Sequence, residues 1–138
     1  MQPLVLLVSL LLPDVIGLAA VYGYPGDALD KEGPPACEAT LVAERGRAGF
    51  QKMLESGVAH RQLPCGTKLR LVSLAGSTSA FVVDRGPFGI QTATGRWRAG
   101  RTLRQGERWR GVLDLRPAVA RKLGFMTGLH PVAAWVEK

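Results

Sequence analysis

Asp84 ends an apolar run, Phe81-Val82-Val83, and stands immediately before Arg85-Gly86-Pro87. A carboxyl placed there has one side against apolar packing and one side open, a setting that suits proton transfer to or from a bound molecule. The plainer use of the same residue is to cap the Arg-Gly-Pro turn through its side-chain oxygens. His60, three residues before the Leu63-Pro64 pair, can hydrogen-bond a carboxylate or orient a ligand, or simply pack half-buried. Asp114 lies inside a short apolar stretch, Val112-Leu113-Asp114-Leu115, and reads as a structural acid holding backbone groups. Cys37 and Cys65 suit one disulfide in an exported protein, and equally two small buried thiols. Two histidines and two cysteines, none at close ligand spacing, build no zinc centre, and neither a metal nor a cofactor is expected.

Residues 89–110 differ in character from the rest. They hold Arg96, Arg98, Arg101, Arg104, Arg108 and Arg110 against the single acid Glu107, with Trp97 and Trp109 among them. Such a segment reads first as a solvated loop, or a pair of short extended segments, whose tryptophans pack back on the domain. Its second reading is a grip on an anionic glycan, tryptophan stacking on sugar faces and arginine pairing with carboxylates or phosphates. Nucleic acid, which the same residue types can bind, ranks last.

The elements that must position these residues follow from periodicity. The 138 residues suit one domain with a core of its own. The first 20 carry a single charge, Asp14, so the remainder holds 18 basic against 10 acidic residues, a net charge of +8 that favours polyanionic partners. Residues 4–12 are an apolar run closed by Pro13 and Asp14, with a small-residue exit at Ala19-Ala20, and read as an export signal that lacks the usual basic start. Retention as a buried or interfacial segment is the other reading. Residues 21–36, rich in Gly, Pro and charge, read as a linker. A short strand is expected over 36–44 and a helix over 47–56, with Phe50, Met53 and Leu54 at helical spacing. Residues 67–74 and 78–84 alternate as two strands joined by Ala75-Gly76-Ser77, a hairpin. A strand over 111–115, a helix over 117–123 opened by Pro117, and a last strand over 131–137 complete a pattern of small barrel or sandwich type.

Three segments in order then resemble rare lipoprotein A, a bacterial family that cleaves peptidoglycan. AHRQLPCGT at 59–67 resembles the family's A-H-x-x-L-P-x-G-T, VVDRGPF at 82–88 its V-N-D-R-G-P-F, and Val112–Leu115 followed by Ala118, Ala120 and Leu123-Gly124 its I-D-L-S-x-x-A-A-x-x-L-G. The resemblance implies an all-β fold with one or two short helices, a six-stranded double-psi β-barrel over 37–138 carrying an insert at 89–110. It implies a lytic transglycosylase, which cuts the glycan strand to a 1,6-anhydro end with Asp84 as the general acid and base and His60 assisting. Arg85, Trp97 and Trp109 are then expected to bind substrate, and Gly86 and Pro87, with Asp114, to be structural. The chain departs from the pattern in places. The family opens with T-A-S-Y-Y-G and continues with T-A-S-G-E, neither of which is read in 37–57; Glu44 and Glu55 are the nearest acids to its groove glutamate. Val83 replaces the asparagine, and no lipobox cysteine follows the apolar run.

The expected partners are peptidoglycan strands or another anionic polymer, in the periplasm or cell envelope if residues 1–20 are a signal. The rival expectation is a non-catalytic barrel for wall binding or assembly, for example a structural component of a phage virion with protein partners.

Overall fold

The period-2 pattern behind Asp14 is where the barrel starts. The computed structural model describes residues 12–23 and 33–138; residues 1–11 of the signal-like segment and 24–32 of the linker lie outside the described residues. Strand β1, Val15–Val21, alternates partly buried positions with exposed Ile16 and Leu18, the signature of a half-buried strand. Asp14 fastens its start: its N–H donates to the Ala134 carbonyl at 2.8 Å, and its Oδ2 accepts from the Val136 N–H at 2.7 Å.

Eight further strands follow: β2 Gly57–Ala59, β3 Lys68–Val72, β4 Ser77–Asp84, β5 Gly89–Gln91, β6 Trp97–Ala99, β7 Arg108–Trp109, β8 Leu113–Leu115 and β9 His130–Val136. Six of them close a barrel in the order β1-β8-β2-β4-β3-β9. The pairs β1/β8 and β2/β4 are parallel and the other four antiparallel. This mixed closed order is compatible with a double-psi barrel. The expected hairpin is the β3–β4 pair, with Leu69 and Leu71 buried and Lys68 and Arg70 exposed. A barrel beginning at residue 37 would lack β1 altogether; in the structure it begins at Val15, and a cut after Ala20 falls inside a strand. An apolar N-terminal run and a barrel strand draw on the same residues, and only the alternation tells them apart.

Among the described residues there are two helices, α1 Glu38–Glu55 and α2 Pro117–Lys122. The strand expected over 36–44 is instead the first half of α1. The buried N-cap residue Cys37 and Leu41 are four apart, which is helical spacing. Leu41 and Phe50 are nine positions, about two and a half turns, apart and would face opposite ways on an unbroken helix. The break at Gly46 (φ 76, ψ 168) restores the phase, so that Leu41, Phe50 and Met53 enter one cluster with Cys37 and Val83. Val82, one residue earlier on β4, points the other way into the barrel core with Val58, Leu69, Leu113 and Leu115. Burying Phe50 fully contributes about 1.5–3 kcal/mol. Gly57 lets α1 run into β2, since a Cβ there would stand 2.5 Å from a Val83 methyl and 2.9 Å from the Leu54 carbonyl oxygen.

The basic insert is a folded unit rather than a loop. It forms a three-stranded antiparallel sheet in the order β6-β5-β7.

Candidate functional site

Four residues in cross-strand register build the floor of a cleft. Ala20 on β1 stands opposite Asp114 on β8, Asp114 opposite Ala59 on β2, and Ala59 opposite Asp84 on β4. Partners in register share a face of the sheet, and all four line one cleft of about 760 Å³. Adjacent strands lie about 4.8 Å apart, so the two aspartate backbones are separated by about 10 Å. Alanine between them fills little of that gap and leaves it open. A register shift at Val58/Ala59 in the β2–β4 pairing sits beside Asp84, as bulges often do next to sites where a side chain must be re-aimed. Gly86 adopts φ 138, and a Cβ on it would stand 3.5 Å from Asp114 Oδ2. The Gly86-Pro87 peptide is cis.

Asp84 Oδ1 accepts two backbone hydrogen bonds, from the N–H groups of Ala36 and Arg85, each at 2.8 Å. One oxygen therefore caps the turn, as the plainer reading of this residue expects, and among the described residues none donates to the other. Tyr22, just past β1, lines the same cleft. Its hydroxyl is buried and has no hydrogen-bond partner, and the Arg116 guanidinium lies 5.9 Å from the ring centroid. Burial raises the phenol above its ordinary pKa and the Asp84 carboxylate adds to this, while Arg116 opposes it. Tyr22 remains a proton donor at physiological pH. It was missed in the sequence because the segment around it carries the Gly and Pro of a linker; the alternation over 15–21, ending on a tyrosine, is the signal that could have found it.

His60 is positioned differently from the acid. Its N–H donates to the Asp84 carbonyl at 3.2 Å, but its ring is not among the groups lining the cleft. Nδ1 accepts from the N–H groups of Gln62 at 3.0 Å and Leu63 at 2.9 Å, which fixes the neutral ring's proton on Nε2. Partial burial lowers its pKa, helped by the charges of Arg61 and Arg85. Arg85 lines the cleft, but its guanidinium is engaged by the protein itself. Its Nη1 donates to the carbonyls of His60 and Leu63 and its Nη2 reaches Cys65 Sγ at 3.5 Å, so that the 60–65 loop wraps around the guanidinium. Cys65 is disulfide-bonded to Cys37, with Cα atoms 5.6 Å apart, tying this loop to the start of α1.

Arg61 performs the matching task for the insert. Its Nη1 donates to the carbonyls of Pro87 (2.8 Å) and Gly111 (2.7 Å), the residues flanking the insert sheet on either side. The same guanidinium covers Trp109 at 4.3 Å from the ring centroid, and Phe88 meets Trp109 edge-on. Trp109 is thus packed, whereas Trp97 remains 55% exposed. Neither tryptophan lines the cleft. Phe88, Arg101 and Arg110 do, forming its insert-side wall.

No family model matches this chain, and no curated protein is similar to it. The functional reading rests on the cleft itself and on the motifs within it.

Proposed function

We propose that the chain is a double-psi barrel of the rare lipoprotein A type that acts on peptidoglycan as a lytic transglycosylase, with Asp84 as its general acid and base. The observation that carries this reading is the register row Ala20–Asp114–Ala59–Asp84, two carboxylates separated by an alanine on the floor of an open cleft of about 760 Å³. Strand β1 supports the family likeness as well. Ala19, Tyr22 and Gly23 match the family's opening T-A-S-Y-Y-G when that motif is laid on residues 18–23.

In such a reaction the substrate's own hydroxyl is the nucleophile, so one carboxyl suffices where hydrolysis uses two. The Asp84 carboxyl gives its proton to the leaving glycosidic oxygen. The glycosidic bond breaks, the sugar's hydroxyl closes the anhydro ring, and the carboxylate takes the proton that this hydroxyl sheds. His60 and Arg85 act as positioning residues, holding the loop against which Asp84 is set.

A second reading, a barrel that binds wall glycan without cutting it, is favoured by the two N–H bonds on Asp84 and by the engaged His60 ring. The test uses the full chain against purified peptidoglycan, with products identified by mass spectrometry, beside Asp84→Asn. Asparagine keeps an Oδ1 to accept from Ala36 and Arg85, so the variant retains its turn. Anhydro products from the parent, lowered about 100-fold or more in the variant, are the expected outcome. Sedimentation with the wall and no products from the parent would establish the binding barrel instead.

A further inference from the structure

Asp84 takes its two side-chain hydrogen bonds from different distances along the chain. The Arg85 N–H is covalently next door, whereas the Ala36 N–H comes from 48 residues away. Both reach Oδ1, and two donors on one oxygen fix the rotation of the carboxyl group while the second oxygen stays available to a ligand. Without the remote donor the carboxyl would hang on a single bond from its own neighbour. Whatever holds Ala36 therefore holds the aim of the acid.

Side-chain packing does not hold it. Residues 33–36 belong to the cleft wall, and each is exposed or half-buried. Cys37 is the first buried residue of this arm, and its N–H donates to the Val83 carbonyl at 3.2 Å. Its disulfide to Cys65 ties it to the second arm around the acid, the 60–67 loop. That loop is laced to β4. The His60 N–H donates to the Asp84 carbonyl at 3.2 Å and the Gly66 N–H to the Val82 carbonyl at 2.7 Å, while Arg85 binds the carbonyls of His60 and Leu63. The S–S bond thus closes a ring of contacts that runs from Asp84 through Ala36, Cys37, Cys65 and Arg85 back to Asp84. Helix α1 has anchors of its own, since Leu41, Phe50 and Met53 are buried with Val83. Breaking the bond removes the one covalent cross-link of the Ala36 arm and leaves helix and barrel packed.

We propose that Cys37 and Cys65 are positioning residues for Asp84: their disulfide keeps the Ala36 N–H on the carboxyl, and the cleft works at full rate only in the oxidised form. The catalytic half of this rests on the reading of Asp84 as the general acid; the placement of the donor does not. A dithiol reverses it. The S–S bond takes up two electrons and two protons and becomes two thiols, while the dithiol closes to its own disulfide. Cys37 is fully buried and Cys65 half-buried, so the reductant approaches from the Cys65 side.

The test compares four samples of the full chain: oxidised, held in dithiothreitol, reoxidised with glutathione disulfide, and Cys37→Ala/Cys65→Ala. Nuclear magnetic resonance follows amide exchange at Ala36 and in the β3–β4 ladder, melting curves report the fold, and purified peptidoglycan gives kcat and KM for anhydro products. Reduction should quicken exchange at Ala36 about 10-fold or more while the ladder stays protected. It should lower kcat about 10-fold or more with KM little changed. Reoxidation should restore both, and the double variant should match the reduced chain and ignore dithiothreitol. A lower melting temperature with Ala36 exchange and kcat unchanged makes the disulfide a staple of the fold and overturns the proposal, as does loss of cooperative melting on reduction. Release of Ala36 with kcat unchanged overturns it too, because the donor then does not aim the acid. No products from the oxidised chain remove the lytic transglycosylase reading instead, and exchange at Ala36 still decides whether the disulfide places the donor.

Discussion

At the scale of the residue, the two conspicuous motifs are mostly engaged in holding one carboxylate in place. His60 receives two N–H groups on Nδ1 and passes its own N–H to the Asp84 carbonyl, and Arg85 clamps the His60 and Leu63 carbonyls. Protonating the His60 ring would make a donor of an atom that accepts two hydrogen bonds, beside two cations. This agrees with its lowered pKa and has a consequence for stability. A histidine whose pKa is lower folded than unfolded takes up its proton more readily in the unfolded chain. Its contribution is complete above the ordinary value of about 6.5 and is lost as the pH falls through that value towards the folded one. Asparagine at position 60 can accept the same two N–H groups through Oδ1 in an Asx turn without titrating. Thermal melts at pH 7 and pH 5 should therefore show a smaller acid-induced drop for His60→Asn than for the parent, with anhydro-product formation retained. An unchanged drop would locate the acid sensitivity elsewhere, and loss of products with an intact fold would restore a catalytic role to the ring. Asp84 was legible in the sequence because its place at a strand end before a rigid turn is a local fact. The engagement of Arg85 was not, because it depends on a loop returning from 20 or more residues away.

At the scale of the element, one guanidinium ties the insert to the barrel. Arg61 holds the carbonyls of Pro87 and Gly111 and lies on Trp109, so the two ends of the insert and its central ring converge on one side chain. Arg61→Ala leaves both carbonyls without that donor and uncovers the ring, a loss of about 1–3 kcal/mol. Hydrogen exchange should quicken over residues 88–110 while the amides of β3 and β4 stay protected, since the barrel ladder contains neither carbonyl's partner. Equal quickening in both would mean that the insert and barrel unfold as one unit. The residue types of the insert were plain in the sequence, but its sheet was not. Strands of two or three residues leave no room for a period to declare itself. For α1 the obstacle was different. Gly46 resets the helical phase midway, so neither half alone carries the pattern of the 18-residue element.

At the scale of the whole molecule, closure of the barrel depends on its first strand. β1 supplies the parallel partner of β8 and the antiparallel partner of β9, and nothing else among the described residues pairs with those edges. It also delivers Ala20 to the cleft floor and Tyr22 to the cleft wall, so the residues read as a removable leader and linker contribute to the site as well as to the fold. The hairpin, the last strand and α2 could be read locally because each is complete within a short window, whereas β1 acquires its meaning only from partners about 100 residues further on. These pairings decide which truncations the protein tolerates. A chain beginning at Val21 lacks nearly all of β1, exposes two unpaired strand edges and opens the core at Ala19. It should lack cooperative unfolding and self-associate, as followed by circular dichroism and gel filtration. A chain beginning at Pro13 keeps Asp14 and all of β1 and should melt with the full chain. If the shorter chain instead folds and melts cooperatively, β1 is dispensable, and both Tyr22 and the row that ends at Ala20 lose their claim to a part in the site.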